Sequence, residues 1–292
     1  MSFAQLLIQG LIAGLLLGGL YSLVGLGITL IVGVMGVVNF SHGAILMLSM
    51  YAAYWISVYT RISPYVLLIV VVPLFFLVGV GLQRTIIKPL LVRSFDVQIL
   101  VTFGLSLFLV NFALLIWKAD FRSVVTPFSY SSIIVGEVTI GNARLIAFLV
   151  SIVAAMIFYA FLQKTKTGKA MRAVAQDRIL ASLLGVHVAK IDALAFGVGA
   201  ACAAIAGVLI LPFYYVFPTV GDTFLLSAFA TIVLGGFGNF MGALIGGLII
   251  GVVEGLTSVA LSSELKQAAS FLIVILVLLY RPEGLFTRRL RE

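Results

Sequence analysis

The chain has 292 residues, 63% of them hydrophobic and only 10% charged, with a mean hydropathy of +1.26. A soluble globule of this length needs far more polar surface, so a soluble enzyme or binding domain is excluded and an integral membrane protein is indicated. The net charge of +8 does not point to nucleic acid, because the basic residues stand in clusters between apolar runs.

No ten-residue alternation of a barrel appears, and several runs reach the roughly 20 apolar residues that a helix needs to cross a bilayer. The first, 5–32, is longer than one crossing requires. It has no basic residues ahead of it and runs past signal length, so a cleavable signal is not expected. The turn Asn39-Phe40-Ser41-His42-Gly43 follows. Further runs at 44–58 and 65–82 lead to a basic cluster of Arg84, Lys88 and Arg93, and a fourth run occupies 99–117. The stretch 118–144, with Pro127, the Ser129 to Ser132 patch and Gly136, is the largest outward loop; it either caps a pore, receives an extracytoplasmic partner, or simply connects. A fifth run, 145–161, leads into the most unusual stretch of the chain.

Residues 164–192 carry Lys164, Lys166, Lys169, Arg172, Arg178 and Lys190, in a chain that is otherwise nearly uncharged. Asp177 is placed as an N-cap, with a two-turn helix from Arg178 to Leu184 and Gly185 as its stop. Ile179, Leu180, Leu183 and Leu184 then form one apolar stripe. A helix this short is marginal alone, so the stripe rests either in a partner's groove or on this chain's own helix ends and the lipid headgroups. Runs at 193–211, 224–234, 241–260 and 268–280 complete the path, followed by Arg281, Arg288, Arg289 and Arg291.

The three basic clusters hold thirteen of the eighteen lysines and arginines and mark the cytoplasmic side, with the C-terminus on it. The fold class is therefore an all-α polytopic membrane protein of about eight or nine transmembrane helices. One of them, 224–234, is too short for a full crossing and is short or re-entrant. Residues 1–292 form a single transmembrane domain.

Small residues recur every fourth position at Gly10, Gly14, Gly18; at Gly199, Ala203, Gly207; and at Gly247, Gly251, Gly255. That spacing puts them on one helix side, where another backbone approaches closely. The turns at Asn39 and Asn239 look alike, each an Asn-Phe pair after Gly-rich sequence. Either they are Asn-containing hairpin turns or they are matching breaks of the kind that build transport sites. Asn39, Ser41, His42, Gly43 and Asn239 are accordingly candidates for a translocation pathway.

Glu254 stands alone as an acid inside a span, at a cost of about 3 kcal/mol unless it is bonded or wet, and it serves either a neighbouring helix or the pathway. His42 and His187 are expected at membrane edges. Catalysis has no candidates: Gly168-Lys169 is followed by Ala170 rather than Ser or Thr, so there is no P-loop, and no metal-ligand spacing or nucleophile with its base appears. Cys202, the single cysteine, lies in an apolar run. No bound cofactor or metal is expected.

The run TGKAMRAVAQDRILASLLGVHVAKIDALAFGVGAACAAIAGVL at 167–209 resembles the cytoplasmic coupling loop and following span of high-affinity branched-chain amino acid ABC transporter permeases. So do VNFSHGAILMLSMY at 38–51, TIVLGGFGNFMGALIGGLIIGVVEGL at 231–256 and LVLLYRPEGLF at 276–286. The likeness covers nearly the whole chain, in order, and is to the shorter of the two permeases such transporters pair. It departs at Gln176, where members often have Glu, and at Ser41, where Ala is common.

The resemblance implies an inner-membrane permease subunit, itself not an enzyme, of an importer driven by ATP. Its partners would be a second permease, two cytoplasmic ATPases and a periplasmic solute-binding protein, within membrane lipid. The helix capped by Asp177 would be the coupling helix, with Arg172, Arg178 and Lys190 as charged rim contacts to an ATPase. The solute would be a branched-chain or other hydrophobic amino acid; relatives carry urea, amides and aromatic acids. A channel or secondary carrier for a small solute is the alternative.

Overall fold

The computed structural model describes residues 2–136 and 138–286; Arg288, Arg289 and Arg291 lie outside the described residues. The helices are α1 (Phe3–Met35), α2 (His42–Thr60), α3 (Pro64–Leu82), α4 (Phe95–Trp117), α5 (Asn142–Lys164), α6 (Lys166–Gln176), α7 (Arg178–Leu183), α8 (Val188–Ile210), α9 (Val220–Gly235), α10 (Phe240–Ala260) and α11 (Lys266–Tyr280). One antiparallel hairpin, β1 (Ser132–Val135) with β2 (Val138–Gly141), precedes α5.

Seven stretches are long and apolar enough to cross a membrane, and α9 and α11 are shorter apolar helices, so the all-α polytopic expectation holds. At 1.5 Å per residue α1 runs about 50 Å, well beyond the ~30 Å hydrocarbon core, whereas the 16 residues of α9 reach only about 24 Å.

Two pairs of hydrogen bonds fix the ends of the bundle. Near the start of α1, Gln9 Nε2 donates to Thr139 O at 2.7 Å and Thr139 N donates to Gln9 Oε1 at 3.0 Å, which ties α1 to the hairpin. At its other end Arg178 Nη1 donates to Val34 O at 2.7 Å, which ties α1 to α7. The segment after α11 returns to this second end, where Leu285 N donates to Leu234 O at 2.9 Å.

α1 and α8 form the interior. In their most apolar stretches they bury 83% and 78% of the residues, against 22% for α3 and for α4, whose large apolar side chains therefore face outward. The small-residue stripes explain why α1 is so enclosed: two of them meet each other. α1 and α10 run antiparallel with Gly10 against Gly255, Gly14 against Gly251 and Gly18 against Gly247. A Cβ on Gly10 would stand 2.7 Å from Gly255 O, so a methyl group at this seam forces the backbones apart. The third stripe lies against α1 and α2, with Gly199 on Ile31 and Gly207 on Leu46 and Ser49.

Two parts of the chain differ from the reading of the sequence. Residues 164–192 are not a simple connection, because Lys166–Gln176 is itself a helix and α8 begins at Val188. Thr165 Oγ1 caps α6 by accepting from Gly168 N at 3.0 Å, and Gly168, Met171 and Val174 face the bundle while the lysines face away. The loop expected to face outward contains the hairpin, whose strands are only four residues each and carry too little alternation to stand out.

Candidate functional sites

α7 forms as its sequence predicts. Asp177 Oδ1 accepts from Ile179 N at 2.8 Å and Leu180 N at 2.9 Å, and Gly185 takes φ 84° to end the helix. Ala181 is the buried side, while Ile179, Leu180, Leu183 and Leu184 are 75%, 57%, 78% and 82% exposed. The stripe therefore does not rest on this chain's own helix ends. It is an apolar surface at one end of the bundle, left uncovered by the described residues.

Arg178, expected as a charged rim contact, is engaged within the chain. Its Nη1 and Nη2 reach Asp192 Oδ1 and Oδ2 at 3.1 and 2.7 Å, and Nη1 also reaches Val34 O. Asp192 is 1% exposed at the first turns of α8, so a bidentate pair holds α7, α8 and the last turn of α1 together. Asp192 was not among the residues singled out in the sequence. Its signal was its isolation, as the single acid between Asp177 and Asp222. Arg172 is half-buried on α6, with its Nε buried and without a partner among the described residues, and Lys190 is exposed.

The first candidate turn does not stay at the bundle end. α1 stops at Gly36 with φ 69°, and the chain then turns back inward, so that His42 packs on Gly27, nine residues and about 13 Å up α1. Gly43 meets Gly221, joining the starts of α2 and α9 inside the protein. Within this broken entry Asn39, Ser41 and His42 are all 0% exposed. Asn39 Oδ1 accepts from Ser41 Oγ at 2.7 Å and Ser41 N at 3.1 Å, and Thr102 Oγ1 donates to Val38 O at 3.2 Å. Asn39 Nδ2 and both ring nitrogens of His42 have no partner among the described residues. His42, expected at a membrane edge, is thus deeply buried inside the protein; His187 is exposed just before the start of α8.

The second turn differs from the first. Asn239 caps α10 by accepting from Gly242 N at 3.0 Å, and its Nδ2 donates to Phe286 O at 2.8 Å. It is half-buried at the bundle end. The two turns share a positive-φ glycine before the Asn-Phe pair, Gly36 and Gly236, but only the first re-enters the protein.

Glu254 is 3% exposed on α10 and joins three other helices. Tyr21 Oη on α1 donates to Oε2 at 2.7 Å, while Ser227 Oγ on α9 and Ser270 Oγ on α11 donate to Oε1 at 2.7 and 3.3 Å. Sequence reasoning found the acid and missed its donors, because one Tyr and two Ser in apolar spans look unremarkable until the helices converge. Among the described residues no three His, Cys, Asp or Glu side chains gather as a metal set would.

Comparison with known proteins gives a consistent result. The family described as "Branched-chain amino acid transport system / permease component" matches residues 10–279. The high-affinity branched-chain amino acid transport system permease protein LivH of Escherichia coli strain K12 is 33% identical over 303 residues, covering 96% of each chain. The corresponding protein BraD of Pseudomonas aeruginosa is 30% identical over 298 residues, again 96% of each. The ribose import permease protein RbsC of Haemophilus influenzae is 27% identical over 280 residues, 92% of this chain and 83% of that one. No solved structure matches.

Proposed function

The chain belongs to the family of permease components of branched-chain amino acid transport systems, and from that membership we propose that it is one permease of an ATP-driven, binding-protein-dependent importer of branched-chain or other hydrophobic amino acids. The relatives named for amino acid transport match at higher identity than the one named for ribose import, which supports an amino-acid solute.

The observation that carries the reading is α7. A capped helix of six residues and its C-cap residue Leu184 show four large aliphatic side chains at a bundle end rich in basic residues. Each Leu or Ile that a partner covered there would contribute roughly 1.5 to 3 kcal/mol, enough for a few residues to anchor a motor subunit. Arg84, Lys88, Arg93, Lys164, Lys166, Lys169 and Arg281 supply the positive side, which supports a cytoplasmic α7 end and C-terminus in an inner membrane.

In this reading two ATPases, a second permease and a periplasmic solute-binding protein complete the machine. Hydrolysis occurs on the ATPases; this chain holds no cofactor or metal. The bidentate bond from Arg178 to Asp192, with its reach to Val34, passes displacement of α7 to the ends of α1 and α8. Those two helices flank the re-entrant segment, since Gly27 and Gly199 lie against each other beside His42. In this reading Asn39, Ser41, His42 and Gly43 move with those helices as part of the pathway.

Replacing Leu180 and Leu183 together by Asp tests the docking. The permease is expected to insert and assemble with its membrane partner while losing the ATPases and solute-driven hydrolysis. Retention of both by the double variant defeats the assignment, and a stable transporter lacking any ATPase would favour a channel or secondary carrier.

A further inference from the structure

At the hairpin end, residues between Ser123 and Tyr130, Gly141 with the first turn of α5, and the turn after α8 line a cavity of about 320 Å³. Its frame is held by hydrogen bonds between distant parts of the chain. Ser129 Oγ donates to Pro212 O at 2.8 Å, Asn142 N donates to Ser131 O at 3.0 Å, and Arg122 and Val216 exchange both backbone bonds at 3.1 and 2.7 Å. Arg122 also lies over the Trp55 ring, 5.0 Å from its centroid, which pins the loop to α2. A loop tied at this many points holds its cavity preformed, so a ligand does not have to order it.

The lining has one charged residue. Arg144 presents its guanidinium carbon 5.9 Å from the Phe213 ring centroid, and neither ion pair between described residues, Arg122 with Asp120 or Arg178 with Asp192, involves it. Around it stand apolar walls from Val124, Val125 and Phe213, and a rim with Tyr130 and Tyr215, which are 85% and 57% exposed. Among the described residues that line it, a single cation, no acid and apolar walls favour an anion that carries an apolar group. A sugar has neither, and a bare cation is repelled.

We infer that this cavity binds the carboxylate of a small apolar amino acid before it enters the pathway. The carboxylate meets the Arg144 fork, the aliphatic side chain lies against Val124 and Phe213, and the ammonium faces the tyrosine rings at the rim. The cavity volume falls at the low end of the roughly 300–1,000 Å³ typical of small-molecule sites, which suits a solute of this size. The inference rests on the amino-acid reading above and adds a site to it.

The test uses the whole transporter, purified with its partner subunits but without the solute-binding protein, and measures binding of L-leucine and L-leucinamide by calorimetry. Leucinamide lacks the carboxylate and is expected to bind about tenfold or more weakly, a comparison that needs no variant. Arg144→Gln is expected to weaken leucine to the same degree, and Arg144→Lys to recover part of it. Equal binding of the two compounds, no binding of leucine, or leucine binding unaffected by Arg144→Gln overturns the site.

If Arg144→Gln instead blocks docking of the solute-binding protein and leaves leucine binding intact, the cavity receives a protein carboxylate and the inference is likewise overturned. ATP-driven leucine uptake by the wild-type transporter in proteoliposomes, with the solute-binding protein present, is measured alongside. Uptake without Arg144-dependent binding removes the site and leaves the importer; absence of leucine uptake removes the amino-acid reading itself.

Discussion

Arg178 and Asp192 form the one ion pair in which this bundle buries an acid among the described residues, with two parallel bonds of 3.1 and 2.7 Å between α7 and α8. Arg178→Gln leaves the Asp192 carboxylate buried with a weaker partner and is expected to cost the assembled protein roughly 1.5 to 3 kcal/mol, a charged hydrogen bond's worth. ATP hydrolysis should continue while solute moved per ATP falls, because α7 loses its hold on α1 and α8. Asp192→Asn should do the same more mildly. Unchanged transport stoichiometry in Arg178→Gln would refute the mechanical link.

The cap on α7 has its own prediction. Asp177→Ala removes the acceptor for Ile179 N and Leu180 N, at about 1 kcal/mol in a helix too short to absorb it. Weaker retention of the ATPases in a pull-down is expected, with Asp177→Asn close to wild type. Equal loss in both variants points to charge rather than capping.

Glu254 is held as a four-helix junction. Glu254→Leu strands the Tyr21 hydroxyl in an apolar interior and leaves Ser227 Oγ and Ser270 Oγ only their long bonds to Thr223 O and Lys266 O, and it is expected to lower the folded amount in the membrane. Tyr21→Phe removes one donor and should cost about 1 kcal/mol. Glu254→Gln keeps an acceptor and should transport normally; loss of uptake by a well-folded Glu254→Gln would assign the carboxylate to translocation instead.

The α1–α10 seam gives a packing prediction with a built-in control. Gly14→Leu drives a side chain into the Gly251 backbone and should reduce the folded fraction sharply. Gly104→Leu on α4, where a Cβ meets nothing within 4 Å, should be tolerated. Similar yields of the two by fluorescence-detected size exclusion contradict the seam.

The two Asn turns should separate in their effects. His42→Leu removes a buried ring whose nitrogens have no partner among the described residues, so folding should be preserved, whereas Asn39→Ala also removes the acceptor of Ser41 Oγ and Ser41 N and should cost about 1 kcal/mol, so its uptake is read per folded molecule. Uptake should fall. Asn239→Ala removes a helix cap and should lower stability by about 1 kcal/mol with transport per folded molecule retained. Normal uptake by Asn39→Ala and His42→Leu excludes the re-entrant segment from the pathway.

Local signals carried a large part of the structure. The apolar runs, the short ninth helix, the capped α7 and the small-residue stripes all follow from spacing within one segment, and each appears near its expected bounds. α6 was legible but overshadowed: Thr165 as cap and the buried spacing of Gly168, Met171 and Val174 are helical signals inside a stretch that its charge made look like a loop. Arg178 could not be placed from sequence, because nothing local distinguishes a guanidinium facing a partner from one turned toward an acid fourteen residues on.

The sequence by itself determined the class, the positions of the apolar helices and the surface that α7 offers. These depend on hydrophobicity and on contacts a few residues apart. Only the tertiary structure decided that two glycine stripes are each other's partners, that the chain re-enters the bundle at Asn39 while Asn239 stays at its end, and that Glu254 collects hydroxyls from three helices. The physical reason is common to all three. In an apolar medium, lateral helix pairing is selected by close backbone approach and by satisfying rare polar groups, and both are properties of residues hundreds of positions apart, such as Tyr21 and Glu254.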